Sequence, residues 1–536
     1  VMTENFLPPQ QRSTWQALEA HAQRLTSLSL RDAFASDPGR FRSLSRKHGD
    51  LLADFSKQRL DAAALEALLA LAEQSELKRG INALFAAEQA NFTEGRPALH
   101  MALRGSCPPP PNAALDSAPV RRFAAALRAG EIHGATGRPI TRVINLGIGG
   151  SDLGPRMVFE ALREPDAPVE VEFVANIDPR ELDEALLRAE PASTLFVISS
   201  KSFSTAETLA NASAARAWLA AALGEGEGLS AHFAAVSNAT TAAAAFGVAQ
   251  DRVFALPEWV GGRYSVWSAI GLPLLVAIGE TRFDALLDGA RAMDEHFRDT
   301  AFADNLPVLM GLVGLWNTDF LGMETLAVLP YAHGLRNFAA WLQQLEMESN
   351  GKRALRDGST STVPTSPVVW GGVGTVGQHA FHQLFYQGTR RIPMDFIVPV
   401  GANEPRQRAL IDNAFAQSAA LMNGRDLAGA RAALEAKGLP PAEVDRLAPH
   451  LVSPGNQPST TLLMPRLDAF HLGGLLALYE HKVFVQGWIW GINSFDQYGV
   501  ELGKEMARAL AQGASGAQDG STAALVQAAE ALRKGC

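Results

Sequence analysis

Apolar residues recur at helical spacing through residues 10–104. Leu18, Leu25 and Leu28 lie in register, and Leu60-Asp-Ala-Ala-Ala-Leu-Glu-Ala-Leu-Leu-Ala-Leu keeps the same period. This segment is read as helices. The run Cys107-Pro-Pro-Pro-Pro-Asn-Ala-Ala-Leu-Asp-Ser-Ala-Pro then breaks all periodicity and marks a boundary. Beyond it, short apolar runs at 143–146, 171–174, 195–198, 233–236 and 253–255 alternate with helical stretches such as 181–189 and 205–223. After a helical connector at 281–320 the alternation resumes, with strands at 326–329, 368–370 and 396–400 and helices at 335–349 and 378–386. Apolar strands separated by helices predict parallel sheets covered on both faces. The expected fold class is α/β: two α/β/α sandwich units with parallel-sheet cores and helical additions at both ends. The expected bounds are a helical segment 1–105 packing on the larger unit, a first unit 115–280, a second, larger unit 281–510, and a tail 511–536.

Composition narrows the class. The chain has 536 residues, 47% hydrophobic and 19% charged, with mean hydropathy near zero. This suits a globular protein with full cores. The net charge of −9 is spread without long runs of one sign, so general nucleic-acid binding is not expected, and an anionic ligand needs a local cluster of cations. Cys107 and Cys536 are the only cysteines, which fits a cytoplasmic protein without structural disulfides. The first residues show neither the basic nor the apolar part of a secretion signal, and the strongest apolar stretch, 269–279, contains a proline and is too short to span a bilayer.

Two loops suit a phosphate. The first predicted strand runs into Gly147-Ile-Gly-Gly-Ser-Asp-Leu-Gly154, where Asp152 occupies the sixth position that a dinucleotide fingerprint fills with glycine. A nicotinamide cofactor is therefore not expected. The glycines still let backbone approach a ligand, and Ser151 stands at the mouth of a helix. The third strand ends in Ser199-Ser-Lys-Ser-Phe-Ser-Thr-Ala-Glu207, with five hydroxyls and one lysine in seven positions. An N-cap needs one hydroxyl, so the surplus favours a phosphate monoester. Each loop also has a plainer reading, as a tight turn or a rich helix cap.

Other groups carry possible chemistry. Leu342-Gln-Gln-Leu-Glu-Met-Glu-Ser-Asn-Gly351 reads as a helix stopped at Asn-Gly, with Gln344 and Glu348 on one face. Glu348 is either a solvated glutamate or a general base. Arg263, after the Gly-Gly turn of Glu258-Trp-Val-Gly-Gly-Arg-Tyr-Ser265, is either a surface ion-pair arginine or a stabiliser of a developing oxyanion. His379 closes the glycine-rich run from Gly371, and His382 follows three residues later without a carboxylate or cysteine to complete a metal site, so no metal is expected. Finally, in Phe-Asp-Gln-Tyr-Gly-Val-Glu-Leu-Gly-Lys, residues 495–504, Gln497 and Lys504 share a face if the run is helical, with Phe495, Val500 and Leu502 holding that helix in place.

Taken together, the stretches 147–155, 200–208, 258–265, 344–352, 377–379 and 495–504 resemble, in order, the glucose-6-phosphate isomerase family, over about residues 91–504. The resemblance implies two sugar-isomerase (SIS) type α/β domains, a homodimer, no cofactor, and a sugar phosphate as the small-molecule partner. It implies that Gly150, Ser151, Ser200, Lys201, Ser202 and Thr205 bind substrate, the hydroxyls and Lys201 at its phosphate. Glu348 would move a proton between C2 and C1 through a cis-enediol, and Arg263 would steady the intermediate. His379, reaching the site from the neighbouring subunit and oriented by Glu207, would open the ring with Lys504. Gln344 and Gln497 would contact sugar hydroxyls. The chain departs from the family pattern at Ser202 and Ser204, where threonine is common, at Gly372-Val373 and Val376 before His379, and at Ala332. Two further readings share the fold: an isomerase that also takes mannose 6-phosphate, and a non-catalytic sugar-phosphate-binding regulator.

Overall fold

The computed structural model describes residues 6–111, 113, 116–513 and 519–534. The first five residues, parts of the proline-rich break and of the tail, and Cys536 thus lie outside the described residues. The chain forms two compact units, one ending at Ser494 and the other beginning at Phe495.

The first unit holds both sheets. Its amino-terminal segment is not all helical: β1 (Ser45–His48) and β2 (Leu51–Asp54) form a hairpin whose pairing of His48 with Leu51 leaves a two-residue turn, Gly49-Asp50. Gly49 takes a φ of 54°, which such turns demand and glycine supplies cheaply. The polar sequence Ser-Arg-Lys-His makes β1 a suitable edge, since charge discourages further pairing.

The first sheet is parallel throughout, in the order β4-β3-β5-β6-β7, from β3 (Arg142–Leu146), β4 (Glu170–Val174), β5 (Thr194–Ser199), β6 (Phe233–Val236) and β7 (Val253–Phe254). These lie close to the apolar runs read from the sequence. β5 is buried along its whole length, as a central parallel strand must be. Ile144, Phe196 and Phe233 pack with Leu182, Ala212 and Leu219 from the covering helices.

The second sheet has the order β1-β2-β11-β10-β8-β9, with β8 (Thr325–Pro330), β9 (Val368–Gly371), β10 (Met394–Pro399) and β11 (Ser459–Met464) parallel and the hairpin antiparallel at one edge. β11 has no counterpart among the predicted strands, because Ser-Thr-Thr-Leu-Leu-Met lacks a distinctive apolar run. The helix Ala469–Trp490 is buried on almost every side and packs along Leu272–Asp299, itself broken at Gly279. A Cβ at Gly289 or Gly473 would collide with the backbone of Phe470 or Leu286, so these two helices approach more closely than side chains would allow.

The second unit contains a short turn at Tyr498–Val500 and helices Glu501–Ala511 and Gly520–Arg533. Gln497 stands before the helix, with φ −151° and ψ 41°, so it cannot share a helical face with Lys504. Val500 and Leu502 are exposed rather than anchoring.

Candidate active site

The carboxyl end of β3 turns through Gly149–Ser151, with Gly149 at φ 60°. Gly150 lies against Gly262, and a Cβ there would land on the Gly262 carbonyl. This loop therefore touches the turn that carries Arg263 only because position 150 is glycine. Gln344 also reaches it, since a Cβ at Gly149 would sit 3.2 Å from Gln344 Nε2.

The carboxyl end of β5 carries the hydroxyls. Thr205 occupies the N-cap of helix Ala206–Leu223, yet no side chain caps that helix. Ser200 and Thr205 bond each other (3.1 Å), as do Ser202 and Ser204 (2.6 Å). Hydroxyls that only satisfy one another can be turned toward a ligand, unlike one committed to a cap. Lys201 Nζ is half-buried, 3.4 Å from Glu258 Oε2. Asn145, fully buried on β3, ties the two loops together: it accepts from Ser199 Oγ (2.7 Å) and donates to the Ser151 carbonyl (3.1 Å). No sequence signal marked it beyond a lone amide in an apolar strand.

Arg263 is not a surface arginine. Its guanidinium donates to Ser349 Oγ (2.7 Å), the Ser494 carbonyl (2.7 Å) and Glu348 Oε2 (3.3 Å), and its side chain is 2% exposed. Tyr264 shares a hydrogen bond with Ser349 (3.0 Å) and stacks on the buried His100 ring, whose burial pushes its pKa well down. Glu348 keeps 24% of its side chain open. The predicted helix 335–349 begins at Phe338, after a separate turn at His333–Leu335, and runs on without a break, widening from an α-helix at Phe338–Leu342 into a π-helical turn at Gln343–Glu348. Wide turns of this kind are rare and concentrate at functional sites.

The structure thus gathers Gly150, Ser151, Arg263, Gln344 and Glu348, with Ser200, Lys201, Ser202 and Thr205 on the adjoining loop. The Glu207 side chain, in the first turn of helix Ala206–Leu223, is half-buried and makes no hydrogen bond or ion pair among the described residues. His379 is exposed at the end of the turn Val376–His379, and among the described residues its side chain makes no hydrogen bond or ion pair with the gathered group. Gln497 and Lys504 belong to the second unit, where Lys504 pairs with Glu501 (2.8 Å). Among the described residues no three His, Cys, Asp or Glu side chains gather as metal ligands, and His382 instead meets Gln417 (3.1 Å). No helix of the described residues is long and apolar enough to cross a membrane.

Parallel strands whose loops bring together a row of hydroxyls, a glycine turn and a carboxylate–guanidinium pair form an α/β enzyme site suited to a sugar phosphate. The family described as phosphoglucose isomerase matches residues 54–526. Glucose-6-phosphate isomerase of Aromatoleum aromaticum is 67% identical, covering 99% of each chain, and that of Ectopseudomonas mendocina is 48% identical over 96% of each. A crystal structure of glucose-6-phosphate isomerase from Chlamydia trachomatis superposes with a TM-score of 0.82 at 30% identity, covering 98% of this chain and 100% of that one. The chain belongs to the phosphoglucose isomerase family.

Proposed function

We propose that this chain interconverts glucose 6-phosphate and fructose 6-phosphate as an aldose–ketose isomerase, with Glu348 as the base. The observation that carries this reading is the Arg263–Glu348 contact beside Gly150: a half-open carboxylate next to a buried, fully anchored cation. Glu348 takes the proton from C2 of the open-chain aldose, leaving a cis-enediolate; it returns that proton to C1 while the proton of the C2 hydroxyl passes to O1, so that C2 becomes the ketose carbonyl. The arriving negative charge on oxygen faces Arg263, whose donors are already held in place and need no reorganisation. The hydroxyls of Ser151, Ser200, Ser202 and Thr205, with Lys201, grip the phosphate. Gln344 and Gln497 orient the sugar, and the backbone at Gly150 contacts the substrate.

Ring opening is assigned to Lys504 and to His379 oriented by Glu207. A copy of His379 supplied by a second subunit makes the enzyme a homodimer, and a cytoplasmic setting fits its two cysteines. The two sheets support domains at 115–280 and 281–510, with the segment 1–105 extending the larger one through its hairpin. The test is Glu348→Gln. A positioned base contributes about 10²–10⁴-fold, so fructose 6-phosphate turnover in a coupled assay should fall by that factor with the melting temperature unchanged. Intact turnover in a folded preparation would sink the assignment.

A further inference from the structure

Two residues below the proposed base sits a charge that its role does not require. Glu346 is fully buried, and both its carboxylate oxygens accept from Lys482 Nζ (2.8 and 2.7 Å), itself buried on helix Ala469–Trp490. The next residue of that helix, Val483, accepts through its carbonyl from Asn350 Nδ2 (2.9 Å). Gln343 Nε2 donates to the Val369 carbonyl of β9 (3.1 Å), and Ser349 is held by Arg263 and Tyr264. Residues 345, 346, 349 and 350 therefore face the interior, while Gln344 and Glu348 are left half-open.

Resting on the assignment of Glu348 as base, we infer that the Glu346–Lys482 ion pair is the positioning device of that base. It selects the π-helical register of Gln343–Glu348 over the ordinary α-helical one. Returning the turn to an α-helical register rotates position 346 relative to 343 and 350, which other contacts fix. The Glu346 carboxylate would then leave Lys482, and both charges would be buried unpaired, which is strongly unfavourable. A leucine pair would fill the same space but would tolerate either register. Setting register is the best-attested use of a buried ionic pair, and here register decides where the Glu348 carboxylate points.

The experiment compares stability with turnover. Lys482→Met alone strands the Glu346 carboxylate and should lower both melting temperature and kcat. In the double variant Glu346→Met/Lys482→Met, apolar replacement of the whole pair should restore the melting temperature. Its kcat on fructose 6-phosphate should remain about ten- to a hundred-fold low, the cost of a small misplacement of a reacting group, with KM nearly unchanged. Recovery of both quantities would overturn the inference. Should the double variant fail to fold, Glu346→Asp keeps the charge but shortens the tether, and it should lower kcat with KM held; an unaltered kcat overturns the inference equally. Adding Glu348→Gln to whichever variant folds completes a cycle: if the pair acts through Glu348, the loss from Glu348→Gln shrinks by the factor already lost. Strictly additive losses reject the pair's role, whereas a harmless Glu348→Gln in the parent rejects the base itself.

Discussion

Between Ser199 and Thr205 the hydroxyls bond one another or the strand behind them, and Ser202 and Ser204 are open to solvent. Between Gln343 and Asn350, by contrast, four side chains are tied into the interior, by β9, by Lys482, by Arg263 with Tyr264, and by the Val483 carbonyl. The difference matches the two tasks proposed for them. A phosphate can be gripped by several donors in several rotations, and the loss of one donor leaves others. A proton moved between two particular carbons allows one geometry, so the group that moves it must not drift.

The contrast breaks most sharply at Arg263. Lysine retains the charge but cannot meet Ser349, Glu348 and Ser494 together, because it lacks the planar fork. Arg263→Lys should lower kcat by about 10²–10³-fold, the usual cost of one preorganised donor to a developing oxyanion, with little change in KM. A loss confined to KM would move Arg263 to the adaptable side of the comparison.

Rigidity in the second region comes with buried charge, and pH exposes this. Asp395 on β10 accepts from Tyr479 Oη (2.9 Å), and its carboxyl is pushed up to about 6, chiefly by burial and further by Glu346, against the pull of Lys482 and Tyr479. The folded value lies above the ordinary 3.8, so the folded state holds the proton more tightly. The associated stability is complete below about pH 4 and is lost as pH rises through 6. Asp395→Asn imitates the protonated form. It should therefore stabilise the protein by roughly 3 kcal/mol at pH 8 and hardly at all at pH 4. Equal changes in melting temperature at both pH values would contradict the sign.

The two regions also differ in how far they could be read beforehand. The hydroxyl loop is a contiguous word at the end of an apolar strand, and both its position and its surplus of donors are local properties. The π-helical turn is not local. Its register depends on Lys482, 136 residues away, and a helical reading of 335–349 had no means of seeing it. One signal was present: Glu480-His481-Lys482 is a run of three ionisable residues in a largely apolar helix, and ionisable groups buried there need partners. Arg263 was ambiguous for the same reason, since its burial comes from Ser349 and Ser494. The hairpin β1–β2 was hidden by its polar strand, although Gly49-Asp50 is a recognisable hairpin turn. The face shared by Gln497 and Lys504 failed because periodicity was assumed one turn before the helix begins.

Lys201 tests the adaptable side. Its ammonium is half-exposed and engaged with the Glu258 carboxylate and carbonyl, which a phosphate has to displace. A charged hydrogen bond is ordinarily worth about 1.5–3 kcal/mol, and partial exposure with a competing carboxylate places this one at the low end. Lys201→Ala should raise KM about tenfold and leave kcat within about twofold. A fall in kcat with constant KM would mean that the loop takes part in chemistry rather than in holding the phosphate.

The smallest effect belongs to Ser202. Its hydroxyl is exposed and already satisfied by Ser204 (2.6 Å). Removing it leaves the Ser204 hydroxyl without that partner and free to turn toward the phosphate, together with Ser200, Thr205 and Lys201. A neutral hydrogen bond contributes about 0.5–1.5 kcal/mol net, and substitution by a neighbour reduces the loss further. Ser202→Ala should therefore raise KM no more than about threefold, while Ser202→Ala/Ser204→Ala should lose more than the sum of the single changes, because the backup is gone. That synergy is the signature of redundancy. If Ser202→Ala alone cost as much as Lys201→Ala, the loop would be as finely specified as the turn that carries Glu348, and the contrast between the two regions would fail.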